Sequence, residues 1–224
     1  CLVGSEMCIR DSHIIMPGVP LDALHQRLHQ CKTNLEVQAT IFYPILHKII
    51  EEHSDGFTLN ASSLPDKEKN YTFISNHRDI VLDPGFLSVG LLENHFPNTV
   101  EIAIGDNLLI YPWIKKLVRV NKSFIVQRAL SMRQMLLSSA RMSRYIHFAI
   151  TEKKENIWIA QREGRAKDSN DRTQESVLKM LALGGKEDVI DSLKELNIVP
   201  TSLSYEYDPV SYTHLRAHET SQDL

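Results

Sequence analysis

Apolar side chains recur along the chain with two different spacings. Residues 21–53 place them three or four positions apart, which predicts amphipathic helices that Pro44 kinks or breaks. Short β-branched, aromatic and aliphatic runs predict strands at residues 71–75, 99–104, 123–126, 156–160 and 198–205. Helical spacing returns between them, at residues 84–94, 112–118, 130–150, 173–183 and 186–196.

Strands that alternate with helices predict the α/β class. We expect a mostly parallel (mixed) sheet flanked by helices, preceded by an N-terminal helical segment. Residues 54–70 are polar and rich in turn-forming residues, and the first strand follows directly. The predicted organisation is therefore a helical segment at residues 13–70 and an α/β domain at residues 71–208, truncated at its C-terminus.

The two ends of the chain differ in origin from the rest. Residues 2–12 (LVGSEMCIRDS) and 210–219 (VSYTHLRAHE) can be encoded by opposite strands of one oligonucleotide, which resembles a transposon-end sequencing adapter. Two protein termini almost never match in this way by chance. We therefore interpret residues 1–12 and 209–224 as adapter-derived, exclude them from functional reasoning and expect a metagenomic gene fragment cut at both ends.

Composition narrows the class of protein. The chain has 224 residues, of which 42% are hydrophobic and 24% charged, as is typical of a soluble globular protein. Its 25 basic residues face 28 acidic ones, which argues against a nucleic-acid partner bound by bulk positive charge. Outside the terminal segments Cys31 is the only cysteine, which favours a reduced, cytoplasmic protein.

Polar residues that could take part in catalysis or ligand binding follow three of the predicted strands. Because active sites of parallel sheets lie at the carboxyl ends of the strands, we expect the site there. The residues concerned are His77, Asp79 and Asp83 after the first strand, Asn107 after the second, and Arg162, Glu163, Gly164 and Arg165 after the fourth.

His77 is a candidate general base. A histidine oriented by a carboxylate can remove the proton from a hydroxyl, and the carboxylate fixes the ring tautomer. The alternative is structural: His77 lies at a strand–helix turn, with Asp79 or Asp83 as a helix cap. The spacing alone leaves both interpretations open.

The charged loop around Glu163 and Gly164 is a candidate phosphate site. Arginine offers a planar fork of donors to phosphate oxygens, and glycine lets the backbone approach closely. The alternative is a solvated loop rich in charge. No zinc-type Cys/His spacing, GxxxxGK or GxGxxG motif occurs, so neither a metal nor a nucleotide cofactor is predicted.

Taken in order, four motifs resemble the blocks of the glycerolipid acyltransferase superfamily, the glycerol-3-phosphate and lysophosphatidic acid acyltransferases. They are NHRDIVLD at 76–83, GDNLLIYPWIKKLVRVNKSFIVQR at 105–128, REGRAKD at 162–168 and IVPTSLSYEYDP at 198–209. Two departures stand out. Five residues rather than four separate His77 from Asp83, and the third block is one residue shorter, with Ala166 where serine is usual.

The resemblance implies O-acyl transfer without a cofactor. His77, oriented by Asp83 or alternatively by Asp79, would activate an acceptor hydroxyl for attack on the thioester of acyl-CoA or acyl carrier protein. The acceptor would be a glycerol-phosphate or a lysophospholipid in phospholipid synthesis. Its head group would be held by Arg128, Glu163, Gly164 and Arg165. Asn107 and Pro200 would be supporting residues, with Pro200 on the acyl-donor side.

A membrane surface is a predicted partner, because such acceptors reside in the bilayer. The predicted location is cytoplasmic, peripheral to the inner face of the cell membrane, with contact through residues 21–53 and the basic, apolar run 113–119. Two other functions remain open: transfer to another lipid alcohol, such as a lysolipid with an amino-acid head group, and a catalytically silent acyl- or lipid-binding module. A carboxylate in contact with His77 would favour an enzyme.

Overall fold

The structure, a computed structural model, describes residues 21–64, 66–109, 111–127, 131–165 and 171–206. The terminal segments interpreted above as adapter-derived, residues 1–12 and 209–224, lie outside the described residues. The chain divides into two compact units, residues 1–68 with 85–130 and residues 69–84 with 131–224.

The described part of the first unit begins with three helices, α1 (Leu21–Gln30), α2 (Asn34–Val37) and α3 (Tyr43–His53). A π-helical turn, Gln38–Phe42, joins α2 to α3 immediately before Pro44. In a regular α-helix the proline ring would collide with the carbonyl four residues back. Here the Tyr43 N–H donates a hydrogen bond to the Gln38 carbonyl, five residues back, which widens the turn. The interruption predicted at Pro44 is therefore present as a widened turn.

Two parallel strands complete this unit. After helix α4 (Leu82–Glu93), strand β2 (Val100–Gly105) pairs with β3 (Ser123–Val126), and Ile102 lies opposite Ser123. The connection between the strands contains a 3₁₀ turn (Asp106–Leu108) and helix α5 (Pro112–Val120). A crossover of this kind is what parallel pairing requires.

The second unit is built on parallel strands with β1 at the centre. β1 (Thr72–Ser75) pairs with β4 (Asn156–Ala160) on one side and with β5 (Ile198–Thr201) on the other. All residues of β1 are buried, as expected for a strand covered on both faces. Pro200 lies in β5 opposite Ile74, and β5 is an edge strand, where the missing N–H of proline is tolerated.

The second unit also contains helices. They are α6 (Met132–Phe148), which continues into a π-helical turn (Ala149–Lys153), α7 (Glu175–Ala182) and α8 (Val189–Glu195). Every strand pairing among the described residues is parallel, and the strands alternate with helices. The predicted α/β class is confirmed.

The turn after α7 packs tightly on α6. Ser143 donates a hydrogen bond from its hydroxyl to the Leu181 carbonyl and accepts one from the Gly184 N–H, both at 2.8 Å. A Cβ on Gly184 would lie 2.4 Å from the backbone nitrogen of Arg144 and 2.5 Å from the carbonyl carbon of Ser143. Only a residue without a side chain fits this contact.

Gly184→Ala is expected to destabilise the protein by about 3 kcal/mol, because the backbone of α6 can make room only if the helix shifts. Urea unfolding followed by circular dichroism measures the change. Gly85→Ala is the matched control: the atoms nearest its Cβ would be the δ-methyl groups of Leu46, at 3.0 and 3.2 Å, and a side chain can rotate away more easily than a helix backbone can shift. Equal unfolding midpoints for the two variants would contradict the expectation.

Candidate active site

The carboxyl end of β1 is fastened by the residue that follows it. Asn76 is buried, and its Nδ2 donates a hydrogen bond to the Leu203 carbonyl (2.8 Å) while its Oδ1 accepts one from the Leu203 N–H (2.7 Å). An amide side chain can make this reciprocal pair because it has both a donor and an acceptor. The pair fixes the segment after β5 beside the end of β1.

His77 contacts the carboxylate of Asp83. Its Nδ1 lies 2.8 Å from Oδ2 of Asp83. The same oxygen accepts hydrogen bonds from the backbone N–H groups of Arg78 (2.7 Å) and Asp79 (3.1 Å), so the turn folds around the carboxylate and absorbs the extra residue of the first block. The Asp83 side chain is fully buried, where an unpaired charge would be costly.

The second carboxylate oxygen of Asp83 has a partner from far along the chain. The hydroxyl of Tyr205 donates to Oδ1 at 2.7 Å. Tyr205 is positioned by the reciprocal pair between Asn76 and Leu203, two residues before it. Nothing in the local sequence pattern marks Tyr205; the available signal is its place in the fourth block.

Asp79, the alternative partner of His77, caps a helix. Its Oδ1 accepts hydrogen bonds from the N–H groups of Val81 and Leu82, both at 2.8 Å. These groups lie at the start of α4, where the first turn has no intrahelical partners for its N–H groups. The structure therefore pairs His77 with Asp83 and assigns Asp79 to the helix terminus.

The contact with Asp83 defines the tautomer of His77. An ionised carboxylate only accepts hydrogen bonds, so Nδ1 carries the proton and Nε2 of the neutral ring keeps its lone pair. No described residue hydrogen-bonds Nε2, and the side chain is 12% exposed. Trp158 on β4 meets the His77 ring edge to face at 5.5 Å, and its Nε1–H is held by Ser75 Oγ at 2.9 Å. This geometry suits a general base.

A second histidine–carboxylate pair shows why the open nitrogen matters. Nδ1 of His147 lies 2.9 Å from Oε2 of Glu195, much as in the pair at β1. Its Nε2, however, lies 3.0 Å from the Leu181 carbonyl oxygen, and the residue is buried. Both ring nitrogens of His147 are engaged, so this pair joins α6, α7 and α8 and offers no lone pair to a substrate.

The loop that follows β4 is anchored at the same strand end as His77. The Gln161 N–H donates to the Ser75 carbonyl, and the Gln161 Nε2 donates to the Asp171 carbonyl, both at 2.8 Å. The Asp171 carboxylate forms an ion pair with the guanidinium of Arg78, the neighbour of His77. These contacts hold both ends of the loop against the end of β1.

Three predicted substrate-binding residues lie on this loop. Gly164 has φ of +73°, a conformation that strains any residue with a side chain. The Glu163 N–H donates to Gln174 Oε1 at 3.0 Å, and the Arg165 side chain is exposed. Arg128, Ala166 and Lys167 lie outside the described residues.

The model of a known family matches this chain. It is the Acyltransferase model, and it covers residues 57–202, more than half of the chain. The chain belongs to the Acyltransferase family. No curated protein and no solved structure matches this acyltransferase at a significant level. Family membership confirms the glycerolipid acyltransferase resemblance at the superfamily level and supports an acyl donor and a lipid acceptor in general terms.

The matched segment of the acyltransferase contains the strands β1 to β5 together with His77 and Asp83, and it ends before Tyr205. The two supporting residues also lie within it. Asn107 is exposed in the 3₁₀ turn after β2, in the first unit. Pro200 is exposed in β5, in the second unit.

The described part of the acyltransferase contains neither a candidate membrane-spanning helix nor a candidate metal-binding cluster. None of its helices is both long and apolar enough to cross a bilayer. Within the same residues, no group of three or more His, Cys, Asp and Glu side chains is arranged to hold a metal ion.

Proposed function

We propose that this acyltransferase moves a fatty acyl group from acyl-CoA or acyl carrier protein to the hydroxyl of a glycerol-phosphate or lysophospholipid in phospholipid synthesis. The proposal is carried by the 2.8 Å contact of His77 Nδ1 with Asp83 Oδ2 at the end of a central parallel strand. A hydroxyl nucleophile needs a base of this kind, whereas a silent lipid-binding module has no use for one.

In the proposed reaction, Nε2 of His77 takes the proton of the acceptor hydroxyl while the hydroxyl oxygen attacks the thioester carbonyl carbon. The new C–O bond forms, the tetrahedral intermediate collapses with cleavage of the C–S bond, and the imidazolium returns the proton to the leaving thiolate. Asp83 stabilises the imidazolium during its lifetime. The scheme contains no acyl-enzyme and no cofactor.

A panel of acceptors tests the proposal through thioester consumption. We expect turnover with glycerol 3-phosphate or lysophosphatidic acid. Turnover that occurs only with a lysolipid carrying an amino-acid head group would favour the second acceptor class. No thioester consumption with any acceptor would contradict the assignment as an enzyme.

Arg165 is proposed to hold the acceptor phosphate, and Arg128 to share this role. Arg165→Ala should raise the acceptor KM about tenfold and leave the thioester KM unchanged, because one charge-assisted hydrogen bond is lost. Arg172→Ala is the matched control, since Arg172 is an exposed arginine of the same connection between β4 and α7. An unaltered acceptor KM in Arg165→Ala would remove this role.

Tyr205 is proposed to position Asp83, and hence the ring of His77. Tyr205→Phe removes only the hydroxyl that donates a hydrogen bond to Asp83 Oδ1. We therefore expect kcat to fall about tenfold, with little change in the KM of the acceptor or of the thioester. The downfield NMR resonance of the His77 Nδ1 proton reports the geometry and should shift in the variant. Ser204→Ala, at the exposed neighbouring position, is the control. An unchanged resonance and kcat would contradict the positioning role.

We also propose that the enzyme works at the cytoplasmic face of the cell membrane as a peripheral protein. Long-chain acceptors and their products are amphiphiles that reside in the bilayer, so the site must reach its surface.

A further inference from the structure

The amino end of α6 exposes a cluster of large apolar side chains. They are Met132 (76% exposed), Met135 (52%), Leu136 (62%) and Leu137 (60%). Met132, Met135 and Leu136 follow the i, i+3, i+4 pattern and therefore share one face of the helix. A contiguous exposed apolar patch commonly marks a surface that binds a partner or a membrane.

The charges on α6 have a single sign. The helix contains Arg133, Arg141 and Arg144, all exposed, and no aspartate or glutamate. None of the described carboxylates forms an ion pair with these arginines. Apolar side chains combined with cations are typical of helices that lie in the interface of an anionic bilayer.

The surfaces predicted from sequence are less suited to this role, because their described large apolar residues are half-buried or buried. Val120 of α5 packs against the buried cluster of Val37 and Ile41, and the Arg119 carbonyl accepts a hydrogen bond from Asn34. Within residues 21–53, the apolar residues Ile41, Leu46 and Ile50 are likewise buried.

Helices α7 and α8 also expose apolar residues, but with mixed charge. The exposed residues are Leu178, Leu183, Val189 and Ile190. The same stretch contains the acidic residues Glu175, Glu187, Asp188 and Asp191. An anionic lipid surface would repel these carboxylates, so α6 is the better match.

We propose that residues 132–137 of α6 insert into the surface of an anionic membrane, with the arginines of α6 against the lipid head groups. The choice of a lipid surface rests on the proposed function, which requires an amphiphilic acceptor. A second copy of the chain fits less well, because both helices would bring cations to a twofold contact and neither would bring a carboxylate to pair with them.

Vesicle co-sedimentation of the full chain tests the proposal. The wild type should bind phosphatidylglycerol vesicles more than phosphatidylcholine vesicles, and added salt should weaken the binding. Leu136→Gln should lower the partition coefficient about tenfold, because one apolar side chain leaves the interface. Leu183→Gln, which alters a similarly exposed leucine after α7, should leave binding unchanged.

Three results would overturn the proposal: no wild-type binding to either kind of vesicle, equal loss of vesicle binding in Leu136→Gln and Leu183→Gln, or a dimer in gel filtration that Leu136→Gln dissociates.

Thioester turnover with water-soluble glycerol 3-phosphate or short-chain lysophosphatidic acid distinguishes failure of this membrane surface from failure of the proposed function. Turnover without vesicle binding rejects only the surface. Vesicle binding lost on Leu136→Gln, without turnover on any acceptor, supports the membrane surface and rejects the acyl-transfer proposal.

Discussion

His77→Ala should lower kcat for acyl transfer by about 10²- to 10⁴-fold, the contribution of a well-placed general base. The variant loses the only group that the proposed reaction uses to accept the proton of the acceptor hydroxyl. Its fold should persist, because His77 lies at the end of β1 and its main contacts are with Asp83 and the ring of Trp158. Thioester consumption and thermal unfolding measure the two quantities.

His47→Ala provides the matched control for this prediction. His47 also contacts carboxylates, at 3.2 Å from Glu51 and 3.7 Å from Glu93, but it lies on α3 and outside the candidate site. Its removal should leave kcat within about twofold of the wild type, as expected for a surface ion pair. If His77→Ala keeps activity within a few-fold of the wild type, the general-base assignment is wrong.

The elements of the fold were largely predictable, because each has a strong local pattern. The strand prediction at residues 156–160 coincides with β4, and the prediction at 123–126 coincides with β3. The last strand was predicted to run to residue 205 but ends at Thr201. The cause is not local: the side chain of Asn76 takes both backbone groups of Leu203 and draws the chain away from the ladder.

The site was predictable only in part, because its contacts join distant positions. The pattern of strands and helices placed His77 at a strand end, yet it could not decide between Asp83, the favoured partner, and Asp79, the alternative. A turn lacks the repeating apolar spacing of a helix or strand, so its path cannot be predicted from sequence spacing. Tyr205 meets Asp83 across a separation of 122 residues, so no spacing rule near either residue could reveal the contact.

The membrane surface illustrates a different limit of sequence patterns. The run of basic and apolar residues in α5 has the composition of an interfacial helix, but its residues Ile114, Leu117 and Val118 are half-buried. Val120, which follows the run, packs against the cluster of Val37 and Ile41. The amino end of α6 has a less pronounced pattern, and there the structure leaves the apolar residues exposed. Helical spacing shows that a face is apolar; what covers that face depends on tertiary packing.

Asp83→Asn should lower kcat by about 100-fold or more while the fold is retained. The carboxylate accepts on one oxygen from His77, Arg78 and Asp79, and on the other from Tyr205. An asparagine can keep its oxygen toward the first three donors and turn its amide toward the Tyr205 hydroxyl, which can accept. The geometry then survives, and the loss reports the missing negative charge beside the imidazolium.

Asp79→Asn is the counterpart that decides between the two carboxylates. Asparagine caps a helix about as well as aspartate, so its oxygen should still accept from the N–H groups of Val81 and Leu82. Activity should therefore stay within about threefold of the wild type, because the carboxylate that contacts His77, that of Asp83, is kept. Steady-state kinetics of the two variants, with unfolding midpoints as a check on folding, give the comparison. A larger loss of kcat in Asp79→Asn than in Asp83→Asn would reverse the assignment, because the charge that supports the imidazolium would then be that of Asp79.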